Sequence, residues 1–355
     1  MTSRSGSAYA GAGVDIDAKQ RALAALGAKI RATHGPNVLA DIGHFGGLYA
    51  LPGAGDTALV ASIDSVGTKL KLAIALGTPE AHAGIGRDIV HHCVNDILCC
   101  GARPIFFLDY LAVGASNVDL ITAVIGGVAD ACGAHGMALL GGETAELPGI
   151  YAAGDYDLAG CIIGSVARGK IIDGRGVNAG DVVFGLPSVG LHTNGYSLAR
   201  RAFALDGSPG TVRQRLSEIP DGLTETLGAA LLTPHRSYAA ALLPVVEAGN
   251  IAALAHITGG GLIDNVPRVL PPALAVRIDP AHWDVPPIFG AIQRTTHVAD
   301  AEMYRVFNMG IGMVAIVAAE NTVAFNDAVP DARNIGAVIP RGVSPAVQIS
   351  GVTGA

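Results

Sequence analysis

Asp64-Ser65-Val66-Gly67-Thr68-Lys69 follows without a break on the apolar run Leu59–Ile63, and its reading decides how the first half of the chain folds. A short aliphatic run stopped by a polar turn makes a strand rather than a helix. Asp64 then stands at a strand end, where a carboxylate is costly to bury unless a cation or a hydrogen-bond donor compensates it. Lys69 brings a mobile positive charge shortly after Gly67, which suits a phosphate, yet the spacing is not that of the GxxxxGK[ST] loop. A phosphate site here has to recruit other segments.

Working outward, Ile105–Val113 reads as a longer strand interrupted by Asp109, Met137–Leu140 as a third that runs into Gly141-Gly142-Glu143-Thr144, and Leu158–Val166 as a fourth. Two of these strands run into acidic turns, where open mixed sheets collect ligands. Asp88–Cys100 reads as a helix closed by Gly101, with Pro104 beyond. Asp88, His92, Asn95 and Asp96 fall at i, i+4, i+7 and i+8, so an otherwise apolar helix carries one polar stripe, which must face something charged or wet. Val118–Gly133 has no such stripe and reads as scaffold. Each acidic residue alone is an ordinary cap or turn. Asp64, Asp88, Asp96 and Glu143, joined by Lys69, Asn95, Gly141 and Gly142, read together as a magnesium and polyphosphate site. Adjacent His91 and His92 point about 100° apart on a helix and do not share a transition metal easily, so His92 is expected to support the site or face solvent.

The 355 residues predict two domains, since one core rarely serves so long a chain. Apolar residues make up 50% and charged residues only 15%, which excludes disorder. A net charge of -7 with no basic run speaks against nucleic acid. Five cysteines without a CxxC pair read as reduced, mostly buried thiols. The amino terminus carries Arg4 but no apolar signal segment, and no run of about 18 apolar residues follows. A cytoplasmic protein without a membrane partner is expected. Residues 1 to 55 carry a helix near Ala18–Ala32 and glycine clusters at Gly11–Gly13 and Gly43–Gly47, which suit a loop that closes over ligand.

Glycines from Gly169 to Gly180 break every period, placing a boundary there: an amino-terminal domain over 1–168 and a carboxy-terminal α+β domain over 169–355. In the second, Val182–Leu186, Leu274–Ile278 and Gly312–Val317 read as strands, and Asn194–Phe203, Ser237–Ala248 and Asn321–Ala328 as helices. Two loops stand out. Pro187–Ser197 is dense in hydroxyls and amides around His192, more than a helix cap needs, and reads as a site for an anion or polar substrate. Thr258-Gly259-Gly260-Gly261 exposes consecutive backbone N–H groups to a phosphate monoester, with Asp264 and Asn265 one turn on for a ribose hydroxyl.

These segments resemble the phosphoribosylformylglycinamidine cyclo-ligase (aminoimidazole ribonucleotide synthetase) family over nearly the whole chain. The resemblance rests on Ala12–Asp17, Asp64–Lys69, Cys93–Asp96, Phe106–Tyr110, Gly141–Glu146, His192–Leu198, Thr258–Gly261 and Glu302–Arg305. It implies a homodimer whose amino-terminal mixed sheets join into a barrel, with ATP near the subunit boundary and an α+β domain alongside. It also implies ATP-dependent closure of formylglycinamidine ribonucleotide to aminoimidazole ribonucleotide, releasing ADP and phosphate. Carried onto this sequence, Asp64, Asp88, Asp96 and Glu143 would hold magnesium and orient ATP, with Asn95, Gly141 and Gly142 around the nucleotide and Lys69 on its phosphates. His192, with Asp96, would serve catalysis at the reacting formyl group. Ser188, Thr193, Asn194 and Asp264 would bind substrate, and Gly259, Gly260 and Gly261 the ribose phosphate. Two departures are Ser65, where the family has glycine, and Ala10, where it often has lysine. Within the same superfamily, selenophosphate synthetase would need a reactive residue that Tyr9–Gly13 lacks. Hydrogenase-maturation relatives would need a cysteine in the Gly351–Ala355 tail, and thiamine-phosphate kinase would leave the His192 loop unexplained.

Overall fold

The computed structural model describes residues 7–352; Arg4 and the tail residues Thr353–Ala355 lie outside the described residues. Two sheets organise the chain, one in each half. The first comprises β1 (Gly47–Ala50), β2 (Thr57–Ser65), β3 (Arg103–Val113), β4 (Ala138–Glu146) and β5 (Tyr156–Ala167), in the order β1-β2-β5-β3-β4. The second comprises β6 (Val182–Pro187), β7 (Ala253–His256), β8 (Leu274–Ile278), β9 (Ile311–Val317), β10 (Arg333–Pro340) and β11 (Val347–Ile349), in the order β11-β8-β10-β6-β9-β7. Both are mixed: β3 and β4, and β8 and β11, run parallel, and the remaining pairs antiparallel.

Helices α1 (Ala8–Gly11) and α2 (Ile16–Arg31) precede the first sheet, while α3 (Leu70–Leu76), α4 (Pro79–Leu98) and α5 (Val118–Ala134) belong to it. The second half adds α6 (Tyr196–Ala202), α7 (Pro209–Leu216), α8 (Leu227–Leu232), α9 (Ala239–Glu247), α10 (Gly261–Asn265), α11 (Pro287–Thr296), α12 (Asp300–Val306) and α13 (Thr322–Ala328).

Alternation gives the first sheet two unlike faces. Along β5 the even-numbered residues from Tyr156 to Val166 are buried and the odd ones are half-buried. The buried face receives α4, whose Ile85, Ile89, Val90, Val94 and Ile97 are buried with Phe107, Leu158 and Ile162 of the sheet. Gly86 and Gly127 let α4 and α5 meet backbone to backbone: a methyl group on either would lie 2.2 Å from the Val124 carbonyl oxygen or 2.1 Å from that of Ala83. α4 begins nine residues before the expected Asp88. Thr78 caps the Ala81 N–H and Pro79 occupies the first turn, a start signal that outweighs the glycines within.

α4 is also where the two halves join. Its polar stripe meets neither water nor the first sheet alone, but Thr193, His235, Arg236, Tyr238 and His256 of the second half. The amino-terminal segment likewise reaches across. The Tyr9 N–H donates to Glu302 at 2.9 Å, and Arg305 binds Asp17 at 2.5 Å.

Candidate functional site

A cleft of about 560 Å³ opens where β2, α4 and the amino-terminal helix face the loops of the second half. Its walls include Asp64, His92 and Asp96 from the first half and Asn194, Gly259 and Asp264 from the second. Asp64 reaches it because position 64 lies on the helix-bearing face of β2, in line with buried Ala58 and Val60. Asp96 reaches it from α4, where its Oδ2 accepts from the Ser62 hydroxyl at 3.1 Å.

Between these carboxylates stands His92, buried, with Nε2 3.0 Å from Asp64 Oδ2 and 3.8 Å from Asp96 Oδ2. Burial alone would lower its pKa, but Asp64 above all, with Asp96, outweighs it and raises it to about 9. Asp64 moves the other way: burial pushes its carboxyl up, and the His92 charge and hydrogen bond hold it well below the usual range. The pair is therefore imidazolium and carboxylate at neutral pH. That fixes the direction of the bonds behind it. His92 Nδ1–H donates to Thr193 Oγ1 at 2.9 Å, leaving the Thr193 hydroxyl proton for His235 Nδ1 at 3.4 Å. His235 then carries its proton on Nε2, 3.1 Å from His256 Nε2, and His256 Nδ1–H donates to Asp96 Oδ1 at 2.8 Å. The 3.2 Å approach of Asn95 Nδ2 to the same His235 nitrogen is then a packing contact. Burial lowers the pKa of both His235 and His256.

Several expected site residues lie elsewhere. Lys69 and Asp88 are fully buried against each other, with Nζ 3.0 Å and 2.8 Å from the two carboxylate oxygens and 2.9 Å from the Thr233 carbonyl. Burial lowers the lysine pKa and raises that of the aspartate, and the contact between them opposes both. The Asp88 carboxylate also accepts the His235 N–H at 2.6 Å. Neither the expected phosphate contact of Lys69 nor the expected metal bond of Asp88 fits this placement, because both charges are spent inside the protein. Asn95 is likewise consumed: its amide donates to the Arg236 carbonyl at 2.8 Å and accepts from the Tyr238 N–H at 2.9 Å.

Glu143, Gly141 and Gly142 are on β4, at the far edge of the sheet. Glu143 pairs with Tyr110, which pairs with Ala159, which pairs with Ser65. It therefore lies three strands from β2, about 14 Å away at the usual spacing, and on the face opposite Asp64. One ion within one chain cannot touch both. Gly142 instead packs against Asp109, whose Oδ1 would lie 2.3 Å from an added methyl group.

His192 is also beneath the cleft rather than in it, at 1% exposure. Its ring stacks on His235 at 4.0 Å between centroids and 26° between planes, and its Nε2 accepts the Val189 N–H at 3.2 Å. Nearly parallel rings aim their in-plane lone pairs side by side, so His192 and His235 do not converge on one metal. Burial holds the His192 imidazole well below its ordinary pKa, neutral, with Nδ1 lacking a partner among the described residues. Ser188 is bound to Gly190 and Asn308, both at 3.0 Å, and faces a smaller cavity on the other side of the loop. Thr193 is inside the histidine chain. Of the expected substrate residues, Asn194, Gly259 and Asp264 line the cleft, while Gly260 and Gly261 are buried beside it.

Sequence reasoning missed His235 and His256, which complete the network behind Asp96. Their signal was faint: His256 leads directly into the Thr258–Gly261 turn, but nothing near Pro234-His235-Arg236 marks a site.

Comparison with known proteins adds the family. Residues 46–166 match the family model described as AIR synthase related protein, N-terminal domain, and residues 178–347 match its C-terminal domain. A phosphoribosylformylglycinamidine cyclo-ligase of Desulfitobacterium hafniense is 47% identical over 318 residues, covering 89% of this chain and 91% of that protein. One of Sorangium cellulosum is 49% identical over 313 residues, covering 87% of each. Among solved structures, thiamine monophosphate kinase from Aquifex aeolicus shares the fold, with a TM-score of 0.57 at 15% identity over 96% of this chain and 99% of that one. On these matches the chain belongs to the phosphoribosylformylglycinamidine cyclo-ligase family.

Proposed function

We propose that the chain converts formylglycinamidine ribonucleotide to aminoimidazole ribonucleotide at the expense of ATP, as an enzyme of purine biosynthesis. The observation that carries this reading is one cleft walled by motif residues of both halves, Asp64 and Asp96 facing Asn194 and Gly259, in a chain 47% identical to a cyclo-ligase. A formamide oxygen leaves poorly. Transfer of the terminal phosphoryl group to that oxygen makes it leave as phosphate when the amidine nitrogen, held in the same molecule, attacks the formyl carbon. The nitrogen then releases its proton as the ring becomes aromatic.

Asp64 and Asp96 fit a magnesium ion by chemistry, being hard oxygen donors at the cleft wall with Asp64 43% exposed at its side chain. Bound there, the ion would neutralise charge on the phosphates. His92 keeps the two carboxylates apart and adds a positive charge of its own. Asn194 offers an amide to the reacting end, and His192 acts through position: its stacked ring holds His235 and the loop that presents Asn194.

In this reading the boundary between the two domains falls between residues 168 and 169. A homodimer completes the assembly in this reading. The open face of the first sheet carries Ile63 at 72% and Tyr110 at 40% exposure, an apolar surface that a second copy would cover in a barrel. Glu143 lies on that same face, so its expected role would be exercised at the subunit boundary. No helix among the described residues is long and apolar enough to cross a membrane, and work in the cytoplasm follows from the proposed reaction. The test is release of ADP with and without formylglycinamidine ribonucleotide. Release that does not depend on the ribonucleotide would overturn the assignment.

A further inference from the structure

The cleft poses a charge problem. A phosphate monoester carries up to two negative charges at neutral pH, yet three aspartates, Asp64, Asp96 and Asp264, line the space it would enter. Asp264 is the neighbour of the glycine turn: a methyl group on Gly260 would lie 2.6 Å from its Cβ and 3.2 Å from its Oδ2. Arg305 answers that carboxylate only in part, because its Nε donates to Asp264 at 3.0 Å while its Nη2 holds Asp17 of α2, one positive charge against two negative ones. A phosphate therefore needs a further cation. Two of the cationic groups in the cleft are committed. His92 serves Asp64 and Thr193. Arg268 spends Nε on the Gly43 carbonyl at 2.9 Å, Nη2 on the His44 carbonyl at 2.8 Å and Nη1 on Asn265 at 3.1 Å, with its plane 3.7 Å above the Phe45 ring.

Lys19 remains. It lines the same cleft as Gly259 and Asp264, and among the described residues its ammonium group has no carboxylate or carbonyl partner. α2 is not free to drift from this position. Arg305 ties Asp17, two residues before Lys19, to the segment that carries the glycine turn, and Glu302 holds the Tyr9 N–H at 2.9 Å.

We propose that Lys19 is the specificity-determining cation for the phosphate of the ribonucleotide substrate, presented to the Gly259 turn by an amino-terminal helix latched through Arg305. The proposal rests on the reaction assigned above for which ligand carries that phosphate; the chemistry it names is recognition of a phosphate monoester by a lysine ammonium. The phosphates of ATP are the other possible source, and the two are separated by which Michaelis constant responds.

The experiment compares Lys19→Gln and Lys19→Arg with Lys29→Gln, which removes the same charge from the far end of the same helix. In steady-state ADP release, Lys19→Gln is expected to raise KM for the ribonucleotide about tenfold or more, equivalent to about 1.4 kcal/mol of binding. KM for ATP should stay within about twofold, Lys19→Arg should recover most of the loss, and Lys29→Gln should behave as the unaltered protein. A ribonucleotide KM unchanged by Lys19→Gln, or a rise confined to the KM for ATP, overturns the proposal. Equilibrium binding of ribose 5-phosphate to the full chain gives a second readout that needs no turnover. Weaker binding by Lys19→Gln supports the phosphate contact even if the unaltered protein fails to turn over the ribonucleotide, and equal binding refutes it.

Discussion

Lys69→Met separates a lysine that holds the fold from one that holds a phosphate. In the folded chain its ammonium lies 3.0 Å and 2.8 Å from the Asp88 oxygens and 2.9 Å from the Thr233 carbonyl, with both charged side chains at 0% exposure. Without the cation, Asp88 keeps only the His235 N–H, at 2.6 Å, in a place closed to water. Removing one partner of such a pair destabilises by about 3–5 kcal/mol, because the other charge is left buried and unpaired. Asp88→Asn alone strands the lysine and is expected to lose a similar amount. The double variant Lys69→Met/Asp88→Asn removes both charges and keeps an acceptor for His235, so it should be more stable than the sum of the singles by about 2–4 kcal/mol. Urea unfolding of the four proteins, followed by circular dichroism, closes the cycle. If Lys69→Met unfolds at the unaltered midpoint with the same slope but binds ATP much more weakly, the ion pair is incidental and the lysine belongs to the nucleotide.

Other outcomes follow from the same geometry. Asp64→Asn should lower ADP release by about 10²-fold and flatten its dependence on magnesium, since a pre-positioned charge in a catalytic cleft has about that worth; unchanged magnesium dependence would remove Asp64 from the site. In protein free of nucleotide and divalent ions, the raised His92 pKa sets the sign of a pH effect. The imidazolium gains its partner on folding, so its stabilisation is fully present below pH 6.5 and lost as pH rises toward 9. The interval corresponds to about 3 kcal/mol, and His92→Gln should remove this slope from urea midpoints measured across it. Gly312→Ala puts a methyl group 2.1 Å from the Tyr238 hydroxyl and 2.5 Å from His192 Cε1, and a loss of about 1–3 kcal/mol is expected in the same unfolding assay. Tyr110→Asp on the open sheet face should shift the molar mass in light scattering from two chains toward one, and an unaltered mass would remove that face from the proposed interface.

Much of the fold was legible because burial of one sheet face leaves a period of two. β2, β3, β5 and β9 were found within two residues of their ends, and α5 within one. Among the strands not foreseen, β10 has its pattern broken by Asn334, Gly336 and Pro340, and β1 and β11 are too short to show a period; the helices α3, α7, α8, α11 and α12 were not foreseen either. The polar stripe on α4 was legible as a stripe, but not what it faced, because its partners at Thr193, His235 and His256 lie about 100 to 160 residues away. The same limit explains Lys69 and Asp88. A lysine after a glycine and an aspartate opening a helix read equally well as ligands or as partners, and only the packing of α3 and α4 under the second half chooses between them.

Glu143 shows how one extra residue can reverse a face: the expected strand stops at Leu140 and gives way to a turn, whereas β4 runs on through Glu143 to Glu146. Ala138 pairs with Phe106 and Leu139 with Phe107, but Gly141, not Leu140, pairs with Leu108. Leu140 is an extra residue in β4, a bulge at 64% exposure. Counting by twos from Leu139, which shares the helix-bearing face with buried Phe107, would have put Glu143 on that face beside the plane of Asp64. The bulge reverses the count, so that Gly142 packs on Asp109 and Glu143 turns to the open face with Tyr110. A glycine at 142 is then required by packing rather than by nucleotide, and the carboxylate one residue on is committed to whatever covers the sheet. Deleting Leu140 is the direct check on this argument. Without the extra residue, Gly141, Gly142 and Glu143 still stand opposite Leu108, Asp109 and Tyr110, so Glu143 keeps the open face and urea unfolding should show a loss of only about 1 kcal/mol; a loss of several kcal/mol, as expected if the charge were turned inward against the α4 layer and buried, would refute the bulge.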